Sequence, residues 1–100
     1  MTTYDFDWDQ KKAAANLLRH KVSFELAASV FRDPLALTVF DDEHSEDEQR
    51  WVTLGLAENG MHLVVIHTFQ EEDEATAKIR IISAREADKR EIYDYQETRR

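Results

Sequence analysis

The run Leu63-Val64-Val65-Ile66 constrains this chain more than any other segment, because it is apolar on both sides of a pleat. A strand of that kind has to lie centrally, with neighbours on its edges and cover on its faces. Residues 35–40, 50–56 and 76–83 also read as strands, and the central one extends over residues 61–69. Asn59-Gly60, between the second and third of these segments, predicts a tight hairpin, since both residues tolerate positive φ. An antiparallel sheet is the expected result.

Ahead of the sheet, Tyr4, Phe6 and Trp8 alternate with Thr3, Asp5 and Asp7, which predicts a short strand with one buried face. Asp9 suits a helix N-cap, and the Ala- and Leu-rich residues 10–20 form the first helix. At about 100° per residue, Ala14, Leu17 and Leu18 form its apolar side, and Lys12, Asn16, Arg19 and His20 form a polar stripe opposite. Ser23 caps a second helix that turns Phe24, Ala27, Ala28 and Phe31 to the core and ends at Asp33-Pro34. Ser83 and Glu86 have the spacing of a capping box, so a last helix is expected from about Ala84 to Tyr95. The sum is one α+β domain over residues 1–100, with two N-terminal helices and a C-terminal helix packed on the sheet.

The formal net charge of −8 weighs against a partner made of phosphates, whose affinity comes largely from lysine and arginine. The distribution answers part of that objection. Six of the 21 acids lie in residues 41–48 and four in residues 71–74, leaving 11 against 13 Lys and Arg elsewhere. The absence of cysteine excludes disulfides, a zinc knuckle and a thiolate nucleophile. Residues 1–10 lack the basic and apolar regions of a secretory signal, and no apolar run could span a bilayer, so a cytoplasmic protein without membrane contact is expected.

Phe6-Asp7-Trp8-Asp9 with Lys12 and Asn16, then His20, Val22-Ser23-Phe24-Glu25, Val30-Phe31 and Asp33-Pro34-Leu35, resembles the opening of the BrnT toxin family. The resemblance continues through Asp41, His44, Ser45, Glu48 and Arg50, then Thr53-Leu54-Gly55, Val64-Val65, His67-Thr68 and the block Arg80-Ile81-Ile82-Ser83-Ala84-Arg85. It implies a RelE-like fold, ribonuclease activity that arrests growth, and a BrnA-type antitoxin whose DNA-binding end represses the shared operon. Operator DNA would then be reached only through the antitoxin. Lys21 stands where the family often has glycine, and Gln10 where it often has proline.

Cleavage of RNA without a metal needs a base for the 2′-hydroxyl proton, cations for the charged phosphorane, and an acid for the departing 5′-oxygen. Arg80 and Arg85 are the first candidate cations, supported by Lys12 and Lys89. Arg85, in the first turn of the expected last helix, sits where a cation is disfavoured, which marks it out. His67 and His20 are the imidazoles suited to proton transfer. Tyr93, eight residues after Arg85 with Lys89 between, shares one helical face with both and is a further catalytic candidate. Trp8, Asn16, His20 and Lys89 are the candidate substrate-binding residues, Trp8 being either a base platform or core. No cofactor or metal is expected, although His44 among its carboxylates offers a metal-hydrolase alternative. The acidic charge offers another, a toxin-like module without catalysis that binds an antitoxin or regulatory partner.

Overall fold

In the computed structural model, residues 2–44 and 48–98 are described; Ser45 of the family-like middle segment lies outside them. Alternation of polar and aromatic residues sets strand β1, Thr3–Trp8, with Phe6 and Trp8 turned inward. Helix α1, Gln10–His20, starts at Asp9, whose carboxylate accepts the backbone N–H groups of Lys11 and Lys12. Helix α2, Phe24–Ser29, is capped by the Ser23 hydroxyl and continues as a 3-10 turn over Val30–Arg32. Strands β2 (Leu37–Phe40), β3 (Trp51–Leu56), β4 (His62–His67), β5 (Gln70–Glu71) and β6 (Thr76–Glu86) follow, and helix α3, Lys89–Thr98, closes the chain.

The strands form one mixed sheet in the order β1-β6-β4-β3-β2, with β5 also on β6. The expected antiparallel arrangement holds from β6 through β4 and β3 to β2, and β1 adds to it as a parallel edge strand. β4 is central as expected, and Leu63 and Val65 point into a core closed by Val22, Phe24, Ala27 and Val30 from the α1–α2 region. Gly60, at φ 88°, turns the β3–β4 hairpin.

The C-terminal expectation fails at Ser83–Glu86. These residues pair with Leu63–Ile66 of β4, so strand pairing captures the segment that local spacing assigns to a helix. The helix begins three residues later on a different box: Glu91 N–H donates to the Asp88 carboxylate, and Asp88 N–H donates to the Glu91 carboxylate.

Helix α1 is turned over relative to its apolar pattern. Leu17 and Leu18 are 49% and 77% exposed, whereas Asn16 is 7% exposed. The cause lies in β6. Its β1 partner ends at Trp8, opposite Ile81, which leaves the β6 edge at Ala84 without a strand. The Asn16 amide takes that place, donating to Ala84 O at 2.8 Å and Val22 O at 2.9 Å and accepting from Ala84 N–H at 3.1 Å. A buried backbone pair with no partner would cost more than two exposed leucines gain.

The Lys21 departure now has a physical meaning. Lys21 closes α1 at φ 61°, the left-handed position that favours glycine, with its N–H on Leu17 O. Lys21→Gly is therefore expected to raise unfolding free energy by about 0.5–1 kcal/mol, read from urea denaturation midpoints. A loss of stability would refute the strain.

Asp33 explains a second part of the family-like pattern. Its carboxylate accepts from Leu35 N–H, Leu56 N–H and the Tyr95 hydroxyl, joining the end of the second helical segment to β3 and α3. The approach needs Gly55, where a Cβ would stand 2.7 Å from Val30 Cγ1.

Candidate active site

The polar stripe of α1 faces the C-terminal half of β6. Lys12, Arg19 and His20 line one shallow depression of about 310 Å³ with Asn16, Ile82 and Ser83. Lys78 and Arg80, two residues apart on the outer face of β6, line a second of about 450 Å³ with Asp7, Glu48, Thr68 and Gln70. Asp9 links the two. Its carboxyl is held below the usual carboxylate range, first by the N–H groups of Lys12 and Lys11, with smaller contributions from the Lys12 and Arg80 charges. Helix and strand thus bring the Lys12 and Arg80 charges within electrostatic reach of one carboxylate.

Among the described residues, the Lys12 and Arg80 side chains make no hydrogen bond or ion pair. Beyond the longer-range pull of Asp9, neither head group is tied up by a described residue, so both are available to phosphate oxygens. Lys78 was not singled out by sequence, although its position two residues before Arg80 puts both on one strand face.

Arg85 is elsewhere and otherwise engaged. It lies in β6 opposite Val64, so it occupies no helical first turn and the unfavourable dipole position expected from sequence does not arise. Five residues along the strand place it about 16 Å from Arg80. Its guanidinium donates to both Glu91 oxygens at 2.9 Å, which raises its own pKa and lowers that of Glu91. Lys89 and Tyr93 are exposed on α3, and they share no helical face with Arg85.

His67 is 1% exposed. Its Nδ1–H donates to Thr68 O at 2.9 Å, so Nε2 is an acceptor, taking the Thr53 hydroxyl at 2.7 Å; Thr53 Oγ1 stands 2.8 Å from Thr38 Oγ1. Burial pushes its pKa below the ordinary 6.5, the Thr68 bond opposing in part. The folded state therefore resists protonation while the unfolded chain does not. Stability from this group is complete above about pH 6.5 and declines as pH falls from there towards the lowered folded value. Wild-type unfolding free energy is expected to drop between about pH 7 and 5, and His67→Gln is expected to flatten that slope; an equally steep slope in the variant would refute the assignment. Trp8 packs against the core, its ring centroid 6.0 Å from that of Phe24 in an edge-to-face contact. His44 is exposed, with Nδ1 3.1 Å from the Asp41 carboxylate.

A family profile described as "Ribonuclease toxin, BrnT, of type II toxin-antitoxin system" matches residues 8–91. The chain belongs to the BrnT family. It is accordingly a ribonuclease toxin with an antitoxin partner. The crystal structure of the Brucella abortus ribonuclease toxin BrnT matches at TM-score 0.55 and 21% identity, over 87% of this chain and all of that one. That likeness bears on the fold. No curated protein matches. In this BrnT-family chain, the residues 8–91 include Lys12, His20, Lys78, Arg80 and the Asp88–Glu91 box. Among the described residues, no helix is long and apolar enough to cross a membrane.

Proposed function

We propose that RNA is bound along the outer edge of β6 and the facing stripe of α1, and is cut there without a metal. Lys12 and Arg80 hold the scissile phosphate and offset the charge that develops on the phosphorane. Lys78 and Arg19 carry the neighbouring phosphates. His20, on the same stripe as Lys12, moves the protons. The 2′-hydroxyl gives up its proton, its oxygen bonds to phosphorus, and the bond to the 5′-oxygen breaks as that oxygen is protonated. A 2′,3′-cyclic phosphate and a free 5′-hydroxyl result. The observation that carries this reading is that Lys12 on α1 and Arg80 on the outer face of β6, neither in a hydrogen bond or ion pair among the described residues, line neighbouring depressions and both act on the Asp9 carboxylate.

The antitoxin is of the BrnA type, contact with operator DNA runs through it, and the toxin acts on RNA in the cytoplasm. The test is degradation of a purified RNA by the wild-type chain in excess EDTA, alongside Arg80→Ala. Wild-type cleavage that persists in chelator and is lost in the variant supports the reading. Equal cleavage by both proteins overturns it.

A further inference from the structure

The helix-facing side of the sheet is left open at one end. Beyond the 3-10 turn, at the end where β4 finishes and β3 begins, Tyr4, Phe31, Trp51, Phe69 and Ile79 wall a cleft of about 350 Å³. Two of its polar side chains, Thr38 and His67, are already engaged, each bonded to the Thr53 hydroxyl between them. Tyr4 and Phe69 remain 38% and 40% exposed at this end. An apolar cleft with open aromatic walls is a recess for an apolar side chain.

The charge around it restricts what can bring that side chain. The loop from β2 to β3 leaves from this end, carrying carboxylates at residues 41–43 and Glu48. β5 and its turn into β6 lie at this end too, with the acidic residues 71–74 all exposed. An RNA base entering the cleft would draw its phosphates between two acidic loops, which repel them. A Lys- and Arg-rich peptide is attracted by the same field.

We propose that this cleft is the docking site for the antitoxin, filled by an aliphatic or aromatic side chain on a Lys/Arg-rich segment. The proposal rests on membership of a toxin family with an antitoxin partner, and is independent of the RNA site. It also gives a route to neutralisation. Phe69 lines both this cleft and the Lys78–Arg80 depression, and Glu48 lines the latter, so a segment seated here reaches the border of the RNA-facing surface. The acidic charge then serves the partner and the cations serve the substrate.

The test uses the full chain in a Trp8→Phe background, in which Trp51 is the remaining tryptophan. Its emission is followed during titration with the peptide KRFLRK, with the control KRAARK in which both apolar residues are alanine, with EEFLEE, and with a uridine hexanucleotide. KRFLRK is expected to shift Trp51 emission, and to bind about tenfold more weakly once its apolar residues are alanine. Raising NaCl from about 0.05 to 0.5 M weakens it comparably. Tyr4→Ala weakens binding, as does the exposed-loop variant Glu71→Gln, Glu72→Gln, Asp73→Asn, Glu74→Gln, and both retain RNA cleavage. Equal binding of the alanine peptide, binding of EEFLEE, indifference to the loop substitutions, or a Trp51 shift when the hexanucleotide is added to Arg80→Ala protein would each overturn the proposal. Arg80→Ala is expected to leave peptide binding unchanged, so failure of the ribonuclease site and failure of the docking site are read separately.

Discussion

Replacing Asn16 with alanine is expected to lower the unfolding free energy by about 3–5 kcal/mol, because three buried backbone groups lose their partner at about 1–3 kcal/mol each, less what water recovers. Those groups are Ala84 N–H, Ala84 C=O and Val22 C=O. For a domain of this size that is roughly 15–30 °C in Tm and a large share of its stability. Asn16→Asp separates the two halves of the interaction. The aspartate can still accept from Ala84 N–H but cannot donate to either carbonyl, and it sets a carboxylate beside them, so it is expected to destabilise at least as much as alanine. Urea denaturation checks both variants. A loss under about 1 kcal/mol in Asn16→Ala, with impaired RNA cleavage in a stably folded protein, would return Asn16 to the substrate-binding role expected from sequence.

The second large effect concerns catalysis. Arg80→Ala is expected to reduce kcat for RNA cleavage by about 10²–10³, the range seen when one preorganised group facing a developing negative charge is removed. Lys12→Ala acts in the same direction, and the double variant falls short of the product of the two because both groups serve one phosphate. Neither side chain holds the fold, so thermal melts should remain close to wild type. Arg85→Ala supplies the contrast. Its partly exposed pair with Glu91 ties β6 to the first turn of α3, and its removal should cost about 0.5–1 kcal/mol while cleavage stays within about threefold. A large drop in cleavage for Arg85→Ala, with Arg80→Ala nearly unaffected, would move the chemistry to the other end of β6.

Much of the molecule is legible in local chemistry. Asp9 and the Ala-rich stretch fix α1 at Gln10–His20, Ser23 fixes the start of α2, and Asn59-Gly60 fixes the hairpin between β3 and β4. The polar stripe of α1 is equally legible, and Lys12, Arg19 and His20 do line one depression. Asn16 belongs to the same stripe by spacing, yet its amide is bound to backbone on β6, 68 residues away. Nothing within a few residues of Asn16 indicates that β6 will run on past Ile81, the last residue opposite β1, and leave an edge open.

The same division accounts for Arg85. Ser83-x-x-Glu86 and Asp88-x-x-Glu91 are both capping boxes by spacing, and only the pairing of Ser83–Glu86 with β4 decides between them. The amino-acid sequence by itself determined the α+β class, the order of elements apart from the short strand β5, the central strand and the cationic residues, because caps, turns and apolar periodicity act over a few residues. Which side of α1 is buried, where β6 ends, and which arginine is free were decided by tertiary structure, because backbone groups on a strand edge must find partners wherever the fold brings them.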